Sequence, residues 1–191
     1  MSSTAIRLGI FGGTFNPIHW GHLVLAETAR DLLGLDRVAF IPSNLPPHKS
    51  AKGLVPGRVR MELLQLAIRD HPAFVVSDIE LQRREVSYSL DTVTALHRQL
   101  PAAKLFLLIG QDMLTVRWKG WDELKRLCTV VVAHRPGTAR SRREAGLKRL
   151  AMPQLDISSS DIRARIKAGR SIRYLVPIPV ERHIREHGLY R

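Results

Sequence analysis

The chain has 191 residues, of which 45% are hydrophobic and 25% charged, a composition that excludes a disordered or fibrous protein. Thirty Lys and Arg against seventeen Asp and Glu leave a formal charge of +13, an excess to be assigned to nucleic acid, to a phosphate-bearing ligand or to solvated surface. No apolar run approaches the ~20 residues of a membrane span, the lone Cys128 cannot close an intramolecular disulfide, and the N-terminal residues lack the pattern of a secretory signal, so the cytoplasm is the expected compartment.

The hydrophobic pattern alternates short β-rich runs with longer helical ones. Arg7 to Phe11 is predicted as a strand and Trp20 to Leu33 as a helix, with Leu25, Ala29, Leu32 and Leu33 at helical spacing. Val38 to Ile41 is a second strand. A Pro-rich loop through Asn44, Pro46, Pro47, His48 and Lys49 leads to a helix from about Arg58 to Arg69, whose buried face is read as Val59, Leu63, Leu66 and Ala67. Phe74 to Val76 reads as a third strand, and Ser89 as the cap of a helix running to Gln99. Lys104 to Ile109 is almost wholly apolar, as befits a strand buried on both faces at the centre of a sheet. Thr129 to Ala133 is a fifth strand and Gln154 to Ile157 a sixth; Ser158, Ser159 and Ser160 then cap a helix through Lys167. The expected fold class is α/β, a doubly wound, Rossmann-like parallel sheet with flanking helices. It forms a single domain over residues 1–191, in which 158–191 make a C-terminal helical portion.

The positive charge is unevenly spread. Residues 1–134 carry 16 basic and 12 acidic side chains, whereas 135–191 carry 14 and 5. One cluster comprises Arg135, Arg140, Arg142, Arg143, Lys148 and Arg149, and a second comprises Arg163, Arg165, Lys167, Arg170 and Arg173. No aromatic residue interleaves with them between 135 and 173, which weighs against stacking on nucleic acid and favours a solvated face.

The densest chemical signal is Gly12-Gly13-Thr14-Phe15-Asn16-Pro17-Ile18-His19-Trp20-Gly21-His22, between the first strand and the first helix. Glycines admit a phosphate close to the backbone, and a helix N-terminus presents unpaired N–H groups with partial positive charge. No Gly-Lys-Ser/Thr follows, so this is not a Walker loop, and the dinucleotide fingerprint is absent as well. A pair of histidines, His19 and His22, stands in place of the lysine, three residues apart on one side of the first helical turn. A zinc site would need further ligands at coordinating spacing, which Cys128 does not provide.

This segment, GGTFNPIHWGHL, resembles the nucleotidyltransferase loop of the bacterial nicotinate-nucleotide adenylyltransferases, commonly G-G-T-F-D-P-x-H-x-G-H. Asn16 stands where that family more often has aspartate, and can still cap the loop. The resemblance implies transfer of AMP from ATP to nicotinate mononucleotide, giving nicotinate adenine dinucleotide and pyrophosphate, as a step of NAD biosynthesis. Such a reaction gathers negative charge on phosphates, so positioning and electrostatic stabilisation dominate and no covalent enzyme intermediate is needed. The resemblance places His22 at the α-phosphate with His19 assisting, and Mg²⁺ as cofactor, held mainly through the ATP phosphates rather than by a protein metal site.

Ile157-Ser158-Ser159-Ser160-Asp161-Ile162-Arg163 resembles the I-S-S-T-x-I-R element of the same family, with Ser160 for threonine. By itself it is a serine-rich helix start; by resemblance it binds the ATP phosphates, and Arg163, counted with His19 and His22 as catalytic, grips the β- and γ-phosphates. The full ATP site implied is Gly12, Gly13, Thr14, Phe15, His19, His22, Gly110, Asp112, Ile157, Ser158, Ser159, Ser160 and Arg163.

The acceptor must be selected by the middle of the chain. Pro46-Pro47-His48-Lys49 resembles the family's P-P-H-K loop, Asp78-Ile79-Glu80 its D-x-E, and Ser87-Tyr88-Ser89-Leu90-Asp91-Thr92 its S-Y-T-x-D-T. Gly110-Gln111-Asp112-Met113-Leu114 stands for G-A-D-x-L, and Trp118 for the tryptophan near the pyridine ring, Trp121 being structural. The implied nicotinate mononucleotide site is Asn16, Lys49, Tyr88, Ser89, Asp112 and Trp118. Tyr174-Leu175-Val176-Pro177 and Gly188-Leu189-Tyr190 match the family's C-terminal elements, so the resemblance spans the chain. The alternatives are an adenylyltransferase for nicotinamide mononucleotide or another small phosphate and, in a different class, a basic nucleic-acid-binding module. The expected partners are small molecules, without membrane; homo-oligomerisation is left open.

Overall fold

The structure is a computed structural model that describes residues 5–46, 53–83, 85–134, 145–153 and 155–191. Six strands form one parallel sheet: β1 (Arg7–Gly13), β2 (Arg37–Pro42), β3 (Phe74–Val76), β4 (Lys104–Gly110), β5 (Thr129–His134) and β6 (Lys148–Ala151), in the spatial order β3-β2-β1-β4-β5-β6. The helices are α1 (Trp20–Leu33), α2 (Gly57–Ile68), α3 (Ser89–Gln99), α4 (Trp121–Leu127), α5 (Ser159–Lys167) and α6 (Ile178–Glu186). This is the doubly wound α/β fold expected.

Parallel strands need crossovers that cover both faces of the sheet, and the two faces bury different residues of each strand. Phe106 and Leu108 of β4 join Phe11, Val131 and the apolar sides of α1, α2, α5 and α6. Leu105, Leu107 and Ile109 join Leu8, Ile10, Val130, Val132 and residues of α3 and α4. The unbroken apolar run of β4 is thus the period of two read out on two buried faces. Cys128 belongs to the second core; burial pushes its thiol up to about 12, so it is a packing residue without nucleophilic character.

The chain reverses its direction of winding between β1 and β4, the kind of switch point at whose carboxyl ends open α/β sheets bind ligands. The loop after β1 and the Gln111–Leu114 3₁₀ turn after β4 meet there, with β2 extending the wall, since the Ser43 N–H donates to the Gly13 carbonyl at 2.9 Å.

Several local expectations are corrected. The sixth strand is Lys148–Ala151 rather than 154–157: only Leu150 is buried on it, so the strand reads as a charged run, and Lys148 and Arg149 of the first basic cluster are its outward side chains. Residues 155–157 instead lead into α5, and Gln154 lies outside the described residues, as do Arg135, Arg140, Arg142 and Arg143. On α2 the buried residues are Arg60, Leu63, Leu64 and Ile68; Leu66 and Ala67 are only half-buried. Leu32 of α1 is 61% exposed. Tyr88, not Ser89, occupies the cap position of α3.

Candidate active site

The loop after β1 is shaped by one buried ring. Phe15 has φ 47, the left-handed region that a residue with a Cβ enters at a cost of about 1–2 kcal/mol, and its side chain is 1% exposed. The ring packs edge-on against Phe11 at 5.5 Å and against His22 at 5.0 Å. Gly13 lies directly beneath it: a Cβ there would come within 2.9 Å of the ring. Gly12 is exposed and would meet nothing within 4 Å. The two glycines therefore do different work. Gly13 admits Phe15, and Gly12 leaves bare backbone exposed beside it.

His19 is the cap residue of α1, and its own N–H donates to Nδ1 of His22 at 3.2 Å. In the neutral His22 ring that bond assigns the proton to Nε2, which makes Nε2 a hydrogen-bond donor. The two imidazoles stack at 3.7 Å between centroids. Burial pushes the His19 pKa down to about 4, so its ring is neutral through the physiological range. Gly21 lets that ring lie against the helix, since a Cβ there would sit 3.1 Å from Nδ1 of His19.

The serine helix is docked on this loop. Ser158 caps α5, accepting from the Asp161 N–H at 3.1 Å and donating to the Asp161 carboxylate at 2.6 Å. Ser159 donates to the Pro17 carbonyl at 2.8 Å, and Nη1 of Arg163 donates to the Asn16 carbonyl at 2.8 Å. Nη2 of Arg163 holds the Ser160 hydroxyl at 3.3 Å. The Trp20 N–H, first of α1, donates to Leu175 in the Y-L-V-P segment. His19, His22, Ser158, Ser159, Ser160 and Arg163 are thereby gathered at one place, with Ile157 packed half-buried against the core beside them.

A second set of contacts ties the loop to the segment before α2. The Asn16 amide donates to the Gly53 carbonyl at 2.9 Å and accepts from the Val55 N–H at 3.3 Å, so this 5%-exposed side chain is committed to holding that segment. Arg60 completes the junction, donating through Nη1 to the Thr14 carbonyl at 2.9 Å and through Nε to Val55 at 3.1 Å. Arg60 is not conspicuous in the sequence, because an arginine on an amphipathic helix reads as solvated surface; its place three residues before Leu63 on the apolar stripe is the signal available.

At the end of β4, Asp112 is exposed and its carboxylate folds over Gly110, where a Cβ would clash with Oδ1. Trp118 is half-buried, its indole N–H donating to Met113 at 2.9 Å and its ring 5.3 Å from Trp121. The two tryptophans line an open groove of about 410 Å³ with Leu114, Thr115, Val116 and Arg117. Lys119 joins this segment to Tyr88, with its ammonium 4.6 Å above the phenol ring and 3.4 Å from Asp91. Ser89 opens α3 next to Tyr88. The D-x-E and S-Y-S-x-D-T elements meet in a buried bond of 2.7 Å from Thr92 to Glu80. Lys49 lies outside the described residues.

A family model described as cytidylyltransferase-like matches residues 10–165, which include the histidine loop and reach Arg163. The chain belongs to the cytidylyltransferase-like family. It is 42% identical to a Thermus thermophilus protein named "Probable nicotinate-nucleotide adenylyltransferase", covering 97% of this chain and 100% of that one. It is also 42% identical to a protein of the same name from Geotalea uraniireducens, over 97% and 98% of the two chains. In fold, this cytidylyltransferase-like chain matches the Plasmodium falciparum nicotinic acid mononucleotide adenylyltransferase complexed with NaAD with a TM-score of 0.81, at 17% identity and 97% coverage of both chains.

Proposed function

We propose that this protein is a nicotinate-nucleotide adenylyltransferase, joining ATP and nicotinate mononucleotide into nicotinate adenine dinucleotide with release of pyrophosphate. The observation that carries the reading is the docking of the α5 serine–arginine start onto the histidine loop, through Ser159 to Pro17 and Arg163 to Asn16. It brings two helix N-termini, two imidazoles and a guanidinium to the open end of the sheet, which suits a polyphosphate passing between them.

In this reading Nε2 of His22 donates to the α-phosphate as charge builds there, and neutral His19 holds His22 in that tautomer through its N–H and by stacking. Gly12 admits the triphosphate to the backbone, with Gly13, Thr14 and Phe15 shaping the wall beside it. Arg163 has donors beyond the two bonds it makes internally, and offers them to the β- and γ-phosphates. Ser158 and Ser159 act by holding α5 in place rather than by contacting phosphate, and Ile157, Ser160, Gly110 and Asp112 border the nucleotide. Trp118, Tyr88 and Ser89 form the acceptor side and Asn16 positions the loop; Lys49 is assigned to the acceptor by the family resemblance alone.

Among the described residues no three His, Cys, Asp or Glu side chains form a metal-binding group. In this reading Mg²⁺ would be carried on the ATP phosphates, where it would supply neutralisation of the charge on the departing pyrophosphate, with Asp112, exposed at the end of β4, as a carboxylate available to it. No helix among the described residues is long and apolar enough to cross a membrane. We infer a cytoplasmic enzyme with small-molecule partners.

The deciding assay incubates purified protein with Mg²⁺-ATP and, separately, nicotinate mononucleotide, nicotinamide mononucleotide and phosphopantetheine, following pyrophosphate. Release with nicotinate mononucleotide at the highest kcat/KM is expected. No release with it, or faster release with another acceptor, overturns the assignment.

A further inference from the structure

We propose that Arg60 is a positioning residue for adenylyl transfer, holding the histidine loop and the segment before α2 in one arrangement through the carbonyls of Thr14 and Val55. The inference rests on the adenylyltransferase reading above and extends it to a residue outside every recognised motif.

A guanidinium is among the most costly groups to bury, and Arg60 is 1% exposed within the apolar face of α2, beside Leu63 and Leu64. A leucine or methionine would fill that position without the desolvation cost, so the helix does not need the charge for its own packing. The two carbonyls do. Thr14 and Val55 are 41 positions apart in sequence, and Arg60 binds them with two donors of a single rigid plane, at 2.9 and 3.1 Å. Asn16 closes the circuit from the other side, through its bonds to Val55 and Gly53. Arg163 meanwhile holds the Asn16 carbonyl. Two arginines from different helices thus grip the loop at alternate residues, 14 and 16, immediately before the histidines.

The charge of Arg60 is not spent on a carboxylate. Among the described residues none is paired with it, and the titratable group acting on it is Tyr190. That phenol is buried, its hydroxyl has no hydrogen-bond partner among the described residues, and burial pushes its pKa up, so it stays neutral. The guanidinium is therefore held by the Thr14 and Val55 carbonyls and not by an ion pair, so its role is the placement of the two segments.

The test compares wild type with Arg60→Met, Arg60→Lys and Leu64→Ala, each first examined by thermal melting and then assayed for pyrophosphate release from Mg²⁺-ATP and nicotinate mononucleotide. Arg60→Met is expected to lower kcat by about 10- to 100-fold, the scale of a misplacement of order 1 Å, while the KM of both substrates stays within about threefold. Arg60→Lys keeps the charge but reaches a single carbonyl, and is expected to recover part of that loss. Leu64→Ala weakens the same helix without touching the circuit, and is expected to keep kcat within about threefold of wild type below its melting temperature. Wild-type kcat in Arg60→Met, or a kcat loss that Leu64→Ala reproduces at the same Tm, overturns the proposal. Absence of turnover in the wild type itself overturns the assigned reaction instead, and the Arg60 comparison is then made with the acceptor that does release pyrophosphate.

Discussion

The hydroxyl of Ser159 reaches the carbonyl of Pro17 across 142 positions of sequence, at 2.8 Å. That bond, with the one from Arg163 to Asn16, fixes the start of α5 against the loop that leads into α1. The serine cluster is thus a fastening between two elements that the proposed function assigns to phosphate, and in that reading its effect on the reaction passes through the placement of Arg163 and His22.

Ser159→Ala removes the fastening and leaves the Pro17 carbonyl without its donor. A stability loss of about 1 kcal/mol is expected in urea unfolding, the typical net value of such a bond. A fall in kcat/KM of about tenfold should accompany it, because the start of α5, which carries Arg163, is then tied to the loop by the Arg163–Asn16 bond without the Ser159–Pro17 bond. Wild-type kinetics in a destabilised variant would show that Ser159 serves the fold alone.

In its proposed role His22 donates from Nε2 where charge develops, so His22→Ala is expected to lose about 10²- to 10³-fold in kcat, the scale for deleting one oxyanion-type donor. His22→Asn retains an N–H near the Nδ1 position rather than near Nε2, and should recover little. Single-turnover rates on enzyme saturated with ATP separate this from a binding defect. A His22→Ala enzyme with near-wild-type kcat would remove His22 from the chemistry.

His19 makes acid stability measurable. Its folded pKa is about 4 against 6.5 for the unfolded ring, because burial disfavours the charged form. Between these values the unfolded state binds the proton and the folded state does not, so stability rises with pH across that window and is lost as pH falls from 6.5 toward 4. The contribution lost by pH 4.5 is on the order of 2–3 kcal/mol. His19→Gln, neutral at every pH, should show a correspondingly shallower decline in unfolding free energy between pH 7 and pH 4.5. Parallel declines in the two proteins would show that His19 titrates normally.

Much of this fold was legible because its strands are short apolar runs bounded by turn residues, and Trp20–Leu33 and Phe74–Val76 were read with the bounds observed. β6 was misplaced because an edge strand with one buried residue carries no hydrophobic period to read. α4 and α6 carry no capping side chain of the kind that marks α5, and their starts are not legible in the sequence. At the site, residue types that name their chemistry, the histidine pair and the capping serines, were legible. Arg60 and the division of labour between Gly12 and Gly13 were not, since each depends on a neighbour supplied by tertiary packing: two distant carbonyls for the arginine, the Phe15 ring for the glycine.

Trp118 carries the most specific claim about the acceptor. Its indole is fixed by the bond to Met113 and braced by Trp121, so its outer face lines the groove in a set orientation with little entropy to lose on binding. An aromatic pair contributes about 0.5–1.5 kcal/mol beyond the area it covers. Trp118→Ala is therefore expected to raise the KM for nicotinate mononucleotide by about tenfold, with the KM for ATP unchanged within about twofold, and Trp118→Phe to restore most of the difference. Because the ring also packs against the second core, Tm should fall in the alanine variant, and the comparison belongs well below that temperature. An alanine variant with wild-type KM for the mononucleotide would assign Trp118 to packing and move the acceptor ring elsewhere in the crevice.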